Sequence, residues 1–528
     1  MNYNYTRFHR PAMNNSLLIN STSMFDSQID LKKGKVWQKR RKFWSRKRFW
    51  LIAGLSFTLT MILLALIFTL TLPLDALADR KCDSFNKESP ICLSSDKNDI
   101  KRVYSTRTTF DQSVKLFAKL ADPIDIPSTC KPIMFYLFSR HSIRYPKKDD
   151  IIEMSQILPK LQSEIINGYN SEQSELCEQD YQTVKDWKLQ MVPENDNHVT
   201  PSGVEATKKI AGLFYERYPT LFDPSEVNFR VGITAKVRTN ETAHAFVDGL
   251  HDLRSDININ EEDYVIRNHL QFHSICKKKI NGKIPESKQV KEITESKLFQ
   301  TLRQRISKRM GLNRTIDDAE LSVMYKTCCF EQAIYEKAPW CSLFTKKELR
   351  ALETREDLKH YYKNGPGLYL NHQMPCPLIG DLYRAVIKGI AQPENKTTYL
   401  YFSHAGAISR LWAALGLFNK LELDDNFCPN GDRQWRTSLI LPFNVNFDGV
   451  LYRCTENIES TNPSDYKLLT MINGFPVKID RCDDPMCNAS QFLKSYEIMT
   501  ETCDLDQICH LPENLKSSLK TNTLSEDD

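Results

Sequence analysis

Charged residues are absent from residues 49–74 of this 528-residue chain. An uncharged apolar run of this length can cross the ~30 Å hydrocarbon core of a bilayer as one helix. Basic groups at residues 39–42 and 46–48 precede it, and the positive-inside rule places them in the cytoplasm. We therefore predict a single-pass type II membrane protein with a signal-anchor at residues 49–74. The alternative is cleavage after Ala78, at a small-residue site that would release a secreted form.

Cysteine is absent from the first 81 residues, although 15 cysteines follow. This distribution is expected if everything after the apolar run faces the oxidising secretory lumen or the cell exterior. Four N-x-S/T sequons lie on the same side and are consistent with a glycoprotein. They begin at Asn240, Asn313, Asn395 and Asn488.

The chain also has no CxxC pair, which argues against a zinc site. We accordingly predict no metal and no cofactor. The odd count of 15 cysteines leaves at least one thiol free or joined to another chain. Close spacing predicts disulfides, with their connectivity left open, within three groups: Cys328, Cys329 and Cys341; Cys482 and Cys487; Cys503 and Cys509.

A net positive charge is lacking from most of the chain. Residues 1–50 hold 12 Lys/Arg and 2 Asp/Glu, whereas the remainder holds 59 Lys/Arg and 64 Asp/Glu. The larger part is therefore slightly acidic, and its charge gives no support for nucleic-acid binding. We predict that residues 1–48 are a disordered basic cytoplasmic tail and that residues 79–110 are a polar stalk.

Strand and helix patterns alternate after the stalk, with no internal repeat. Residues 132–138 predict a buried strand, and residues 149–166 show apolar side chains at helical spacing. A second helix is expected from about Thr200 to Pro219, followed by a short strand at residues 227–233. This alternation is typical of a parallel sheet with helices on its faces. The predicted fold class is α/β, with a mostly parallel sheet flanked by helices.

Residues 252–375 break that alternation, because charged, helix-forming segments dominate and strand signals are few. We predict that they form an inserted α-helical cap. The α/β core then comprises residues 111–251 and 376–500, and residues 501–528 form a C-terminal tail.

The second part of the core should resume the alternation. The last 40 residues of the chain look irregular and contain cysteines. Strands are expected at residues 397–403, near 438–442 and near 449–454, with a helix at 407–417.

The sequence RHSIRYP, residues 140–146, follows the first predicted strand. A guanidinium is permanently charged, and its planar fork of donors matches phosphate oxygens. Arg140 and Arg144 therefore predict a phosphate-binding loop, with His141 placed to attack the bound phosphoryl group. The alternative is a turn with solvated arginines.

Two later predicted strands are followed by further candidate site residues. Residues 397–403 run into His404, and Arg238 lies between the 227–233 strand and the next helix. Ligands of open parallel sheets bind at the carboxyl ends of strands, and helix N-termini favour anions. We expect His404 and Arg238 to face the same crevice as the RHSIRYP loop. Their alternatives are a structural histidine and a surface arginine.

The ordered set RHxxRxP, then TxxxR before a helix, then a strand ending in His-Ala resembles the histidine phosphatase superfamily, branch 2. The chain is most similar within it to the multiple inositol polyphosphate phosphatases, over roughly residues 100–500. The resemblance implies an α/β core with a helical cap and a nucleophile, His141, that forms a phosphohistidine. It also implies a phosphoryl-binding set in which a second catalytic group, His404, acts with Arg140, Arg144 and Arg238.

The chain departs from that family at two positions. Glycine is usual where Ser142 stands, and an acid that protonates the leaving group is usual where Gly406 stands. Loss of a general acid typically costs ~10²–10⁴-fold in rate. Asp248, on the helix after Arg238, is a candidate substitute. Three lysines are candidates to bind further phosphates of the substrate, with a solvated surface as the alternative: Lys147, Lys148 and Lys236.

These residues predict a phosphatase that hydrolyses inositol polyphosphates such as phytate on the lumenal or extracellular side. Phosphoryl transfer depends mainly on positioning and electrostatics, which three arginines and two imidazoles supply. One alternative is a pseudophosphatase that binds phosphorylated ligands with impaired turnover, because Gly406 lacks an acid. Another is an acid phosphatase of broader specificity. The expected partner is a small polyanionic substrate, nucleic acid is not expected, and the oligomeric state stays open.

Overall fold

The computed structural model of the protein describes residues 92–93, 103–118, 124–279, 287–423, 433–457 and 459–509. The predicted cytoplasmic tail (1–48) and membrane anchor (49–74) lie outside these residues, as do most of the stalk and of the C-terminal tail. Within the described ranges, no helix combines the length and the apolar character needed to cross a membrane.

Eight strands of the described chain form one sheet, in the order β3-β2-β4-β1-β5-β6-β7, with β8 also paired to β6. The strands β1 to β4 run parallel to their neighbours among themselves, and the pairs that involve β5 to β8 are antiparallel. The predicted α/β class is confirmed. The bounds are β1 Lys131–Arg140, β2 Val227–Ile233, β3 Tyr264–Ile266, β4 Lys396–Ser403, β5 Asn446–Arg453, β6 Tyr466–Ile472, β7 Phe475–Pro476 and β8 Met486–Asn488.

Helices cover both faces of the sheet and fill the region between β3 and β4. Their bounds are α1 Phe110–Phe117, α2 Lys148–Asn170, α3 Glu178–Lys185, α4 Pro201–Arg217, α5 Val237–Leu253, α6 Phe272–Lys279, α7 Lys288–Glu295, α8 Lys297–Arg309, α9 Asp318–Tyr335, α10 Lys346–Asn364, α11 Leu370–Gln373, α12 Cys376–Ala391, α13 Ala405–Ala414, α14 Thr437–Ile440, α15 Ala489–Glu501 and α16 Leu505–Ile508.

Strand β1 lies at the centre of the sheet because its side chains are apolar on both faces. Met134, Tyr136 and Phe138 belong to one hydrophobic cluster, whereas Phe135 and Leu137 belong to another. Successive side chains of a strand point to opposite faces, and a strand covered on both faces is apolar throughout. The central position of β1 fixes where the RHSIRYP loop leaves the sheet.

A third hydrophobic cluster joins α7, α8, α9 and α10 to α2 and α3. The helical region between β3 and β4 therefore shares its core with two helices that precede β2 in the chain. Amphipathic helices gain most of their stability from such packing, which explains why α2 was recognisable from its apolar spacing alone.

The predicted strand near residues 438–442 is wrong, because this segment contains the short helix α14. Its first N–H groups donate to carboxylates of α10 instead of to a neighbouring strand: Thr437 N–H to Asp357 at 2.7 Å and Ser438 N–H to Glu353 at 3.2 Å. The expectation of an irregular end is also wrong in part, because residues 489–501 form α15.

Six disulfides join described cysteines, and these oxidised pairs indicate an extracellular or lumenal, secretory-type protein. The Cys328–Cys341 and Cys482–Cys487 pairs confirm two of the predicted groups. The predicted disulfide between Cys503 and Cys509 is wrong, because both cysteines bond to partners that are distant in sequence and that tertiary packing brings close. The remaining bonds are Cys92–Cys177, Cys130–Cys454, Cys276–Cys509 and Cys376–Cys503. Cys329 is buried and free.

A buried ionic network ties α10 to the segment before β5. Arg433 bonds to the carboxylate of Asp357, and Asp357 also accepts hydrogen bonds from the backbone and the hydroxyl group of Thr437. All three residues are buried. Removing one partner of a buried ion pair leaves an unpaired charge in the interior.

We expect Asp357→Ala to lower the free energy of unfolding by ~3–5 kcal/mol, because Arg433 loses its closest carboxylate. Urea denaturation with the disulfides intact measures this. The matched control is Asp252→Ala, which removes an exposed carboxylate paired with Lys208 and should change stability little. Equal effects of the two substitutions would contradict the assigned importance of the buried network.

Candidate active site

Three neighbouring parallel strands deliver the predicted site residues to one edge of the sheet. Strand β4 lies between β2 and β1, and Arg140 at the end of β1 is in register with Ser403 at the end of β4. His404 follows β4, and Thr234 follows β2. Parallel strands place their carboxyl ends together, so segments distant in sequence meet here.

His141 is held with one ring nitrogen available. Its Nδ1 lies 3.0 Å from the carbonyl oxygen of Ser142. A carbonyl oxygen only accepts hydrogen bonds, so Nδ1 carries the ring proton and Nε2 keeps its lone pair. The backbone N–H of His141 donates to the carbonyl of Ser403 at 2.9 Å, which ties the residue to the end of β4.

His404 lies across the site from His141. The two ring centroids are 5.6 Å apart and the rings meet edge to face. Nε2 of His404 is 3.0 Å from the hydroxyl of Thr234, which orients the ring from β2. Its Nδ1 is buried and has no hydrogen-bond partner among the described residues.

Arg140 is only 4% exposed and is anchored by neutral groups. One guanidinium nitrogen donates to the carbonyl oxygens of Thr106 and Leu441, and the guanidinium carbon lies 4.4 Å from the ring centroid of Phe443. Carbonyls and an aromatic face orient a cation without neutralising it. Arg140 therefore keeps its positive charge available to an anion.

Arg144, Arg238 and Arg107 add to this charge. Burial and the charges of Arg144, Arg107 and Arg238 hold the pKa of Arg140 well below its ordinary value. Burial, Arg238 and Arg107 lower the pKa of Arg144 to about 9, and burial lowers the pKa of Arg238.

Carboxylates act on these guanidinium groups only at longer range. Within the described part of the chain, none of the four forms an ion pair, although Asp150 and Asp196 act on Arg144, Asp196 acts on Arg238, and Arg107 acts on Asp150 and Glu356. Unpaired buried charge is costly. The group is therefore suited to bind a phosphate anion.

The positive charges of the arginines also lower the pKa values of the two histidines. Burial is the main cause that lowers the pKa of His141 well below its ordinary value, and Arg140, Arg238 and Arg144 lower it further. Burial and Arg238 act in the same direction on the pKa of His404. Both imidazoles are therefore neutral in the free protein near neutral pH.

The start of helix α4 holds the RHSIRYP loop in place. The N–H of Thr200 donates to the carbonyl of Ile143 at 2.9 Å, and Thr200 caps the helix by accepting from the N–H of Gly203 at 3.1 Å. A side chain at Gly203 would begin 2.3 Å from the same carbonyl oxygen. Only glycine allows this approach of helix and loop.

Ser142 is accommodated where the resembled family has glycine. Its hydroxyl is buried and donates to Asn444 Oδ1 at 2.7 Å, and its N–H donates to the hydroxyl of Thr242 at 3.0 Å. This departure therefore adds a hydrogen bond behind the loop without intruding on the phosphate side.

Gly406 lies near the end of α10. A Cβ at this position would lie 3.2 Å from Arg410 Nη1 and 3.8 Å from Asn364 Oδ1. Asp248, the candidate substitute acid, is exposed and acts electrostatically on Lys208. Its position ten residues beyond Arg238 is ~15 Å along the helix. The structure does not bring Asp248 to the site.

A cavity of about 500 Å³ opens beside the arginine cluster. It is lined by Lys147, Asp196, Asn197, Lys236, Val237 and Arg238. Two of the three predicted lysines thus face it, whereas Lys148 contributes no lining. Its size is in the range of small-molecule sites, and three cations against one carboxylate favour an anionic ligand.

Three neighbours of the site were missed by sequence reasoning. Arg107 lies in the predicted stalk, Thr234 orients His404, and Phe443 supports Arg140. The preceding strand end was a usable signal for Thr234. Nothing local distinguishes Arg107 or Phe443, because only tertiary packing brings them here.

The described residues provide one group with the spacing of metal ligands, Cys92, Cys177 and Asp180. The two sulfurs are joined in a disulfide, so they are not available to a metal.

We expect inorganic phosphate to raise the melting temperature, because it binds the folded arginine cluster and not the unfolded chain. Arg238→Gln should lose most of this response while leaving the phosphate-free protein at least as stable, since it removes a half-buried cation that has no ion pair among the described residues. Thermal denaturation with and without phosphate measures both. As a control, Arg254→Gln breaks surface ion pairs and should keep the phosphate response. An undiminished response in Arg238→Gln would contradict the assigned site.

The chain is similar in sequence to a family of phosphatases. The profile of the histidine phosphatase superfamily (branch 2) matches residues 134–467. Multiple inositol polyphosphate phosphatase 1 of Drosophila melanogaster is 28% identical over 454 residues, which is 83% of this chain and 92% of the relative.

Solved structures share the fold. The phytase from D. castellii superposes with a TM-score of 0.57 at 17% identity, covering 77% of this chain and 88% of the phytase. A Bifidobacterium longum multiple inositol polyphosphate phosphatase in complex with phosphate gives a TM-score of 0.54 at 13% identity, covering 72% of this chain and 94% of that protein.

The profile match spans more than half of the chain, including β1 to β5, and the strand ends assemble its histidines and arginines at one edge. The chain belongs to branch 2 of the histidine phosphatase superfamily.

Proposed function

We propose that this chain is a phosphatase that removes phosphate from inositol polyphosphates through a phosphohistidine at His141. The observation that carries the proposal is the available Nε2 of His141 beside arginines that have no carboxylate partner among the described residues. The relative from Drosophila melanogaster is named a multiple inositol polyphosphate phosphatase, which supports the substrate class.

The geometry suggests a two-step reaction. Nε2 of His141 attacks phosphorus, and the bond from phosphorus to the leaving oxygen breaks. Water then cleaves the phosphorus–nitrogen bond, which releases phosphate and restores the imidazole. Negative charge on the equatorial oxygens is stabilised by fixed cations and donors, a role we assign to Arg140, Arg144, Arg238 and His404.

The lowered pKa of His141 favours this chemistry in acid. Attack requires the neutral imidazole, and an ordinary histidine becomes protonated below about pH 6.5. Because burial and the neighbouring arginines depress the pKa, the nucleophile stays neutral further into the acidic range.

The cavity beside Arg238 supports a substrate with several phosphates. When Arg238 holds the reacting phosphoryl group, Lys147 and Lys236 are placed to meet phosphates elsewhere on the ring. A simple monoester has no group to reach them. The cavity therefore favours an inositol polyphosphate over a substrate with one phosphate.

Cellular placement and domain roles extend the proposal. Residues 49–74 would anchor the protein in the membrane, and residues 252–375 would form the cap. Alkaline carbonate extraction of membranes distinguishes an anchored chain from a form cleaved after Ala78.

We expect His141→Ala to lose phosphate release from phytate by on the order of 10³-fold or more, because the nucleophile is removed. Rapid alkaline quenching of wild type with radiolabelled substrate should trap an acid-labile phosphoenzyme that the variant lacks. Binding of phytate without turnover by wild type would instead support the pseudophosphatase alternative.

We expect Lys236→Gln to raise KM for phytate by roughly 10- to 100-fold, from the ~1.5–3 kcal/mol of a charge-assisted hydrogen bond. KM for p-nitrophenyl phosphate, which has one phosphate, should change little. Steady-state kinetics on both substrates measure this. Lys209→Gln, which removes an exposed lysine paired with Asp111, is the control. A parallel change on both substrates would favour the broad acid phosphatase.

A further inference from the structure

The described site has a nucleophile and a phosphate pocket but lacks an acid at Gly406. An alkoxide leaves slowly unless it is protonated as its bond to phosphorus breaks. If the proposed function holds, some other group on that side must supply the proton. Such a group must reach the space that a side chain at position 406 would enter.

A side chain at position 406 would begin beside Asn364 Oδ1 and Arg410 Nη1. Asn364 is the last residue of α10. One helical turn earlier is His360, whose Nδ1 lies 3.3 Å from Asn364 Nδ2. His360 is therefore hydrogen-bonded to Asn364, the α10 side chain that a residue at position 406 would meet.

His360 also interacts with the phosphate pocket. Its charge is coupled to those of Arg140 and Arg107 across from α10, and to those of Glu356 and Lys359 on its own helix. Arg140 precedes the nucleophile, so His360 lies within electrostatic range of the phosphate pocket.

Other ionisable neighbours are less suited to donate a proton. Arg410 is a guanidinium that donates to the carbonyl of Gly406 at 2.6 Å, and burial lowers its pKa only to about 10. Glu356 is ionised: burial opposes this, but Lys359 and Arg107 lower its pKa. Asp248 is exposed away from the site.

We propose that His360 is the proton donor to the leaving group, in place of the acid that position 406 lacks. The proposal rests on the phosphatase function proposed above. The proton on Nε2 passes to the leaving oxygen as the phosphorus–oxygen bond breaks, and the bonding electrons stay on that oxygen. In the second step the attacking water gives its proton to Nε2, so His360 is again protonated when phosphate leaves.

Asn364 can hydrogen-bond to the His360 ring in both its neutral and its protonated state. Its amide nitrogen donates to Nδ1 of the neutral imidazole. When the ring is protonated, a rotated amide presents its oxygen to accept from Nδ1–H. Nε2 carries a proton in both arrangements.

Bound substrate supplies negative charge that favours the protonated form of His360. In the free protein burial lowers the pKa of His360 to about 4, with Glu356 opposing and Arg140, Lys359 and Arg107 adding to the effect. A phosphate dianion on the arginines offsets their repulsion and raises this pKa. Turnover of alkyl esters should therefore rise as pH falls, until His360 is fully protonated in the complex.

The test compares leaving groups in the full-length protein. Alkyl esters such as phytate and glycerol 2-phosphate need a proton donor, whereas p-nitrophenolate leaves without one. His360→Gln should lower kcat for both alkyl esters by ~10²–10⁴-fold and change kcat for p-nitrophenyl phosphate by less than about 5-fold. The rise of kcat towards acidic pH on alkyl esters should also disappear.

His372→Gln is the matched control, because this histidine also lies in the helical region between β3 and β4, on α11, where its Nε2 contacts the carbonyl of Pro366. It should leave both substrate classes unchanged. Retained stabilisation of His360→Gln by inorganic phosphate shows that the variant is folded with its pocket intact.

Each other outcome counts against the proposal. Equal losses on alkyl and nitrophenyl esters would make His360 merely structural, and no loss on either would exclude it as donor. Wild type active on p-nitrophenyl phosphate alone would mean that no donor exists. Wild type inactive on every ester would overturn the proposed phosphatase function itself, and His360 with it.

Discussion

The rest of this structure depends on a cluster of buried and half-buried arginines that form no ion pair among the described residues. Removing an unpaired ion from water costs several kcal/mol, and the lowered pKa values of Arg140, Arg144 and Arg238 record that cost. The sheet and its helices must hold these cations close against their repulsion. Stability and ligand binding therefore oppose each other at this edge, as is common where a site is preorganised for a charged ligand.

Arg140 shows how widely separated segments maintain that arrangement. Its guanidinium donates to carbonyls of Thr106 and Leu441, 34 residues before and 301 residues after it in the chain. The segment that carries Leu441 is itself held by the buried carboxylates of α10. The helical region between β3 and β4 thus supports the phosphate pocket through packing and ionic bonds, as well as through any contact with a ligand.

The side of the site that would face the leaving group is built from different elements than the side that would bind phosphate. The proposed phosphate-binding groups follow the ends of strands, whereas Gly406 leaves space that α10 approaches with Asn364. An acid restored at position 406 would start beside Arg410 and would be drawn into an ion pair. A donor on α10 would avoid that pairing, which gives a physical reason for glycine at position 406 of this chain.

Local pattern by itself determined the α/β class, the strand before RHSIRYP, the strand before His404 and the candidate set of His141, His404, Arg140, Arg144 and Arg238. These were accessible because apolar strands, strand ends and phosphate-binding arginines are all short-range signals. Tertiary structure alone decided that Arg107 joins the cluster, that residues 437–440 are helical, and that Cys503 and Cys509 bond to distant partners. It also decided that Asp248 is exposed to solvent and that Asn364, hydrogen-bonded to His360, approaches position 406, because such placements depend on packing between segments that no local pattern encodes.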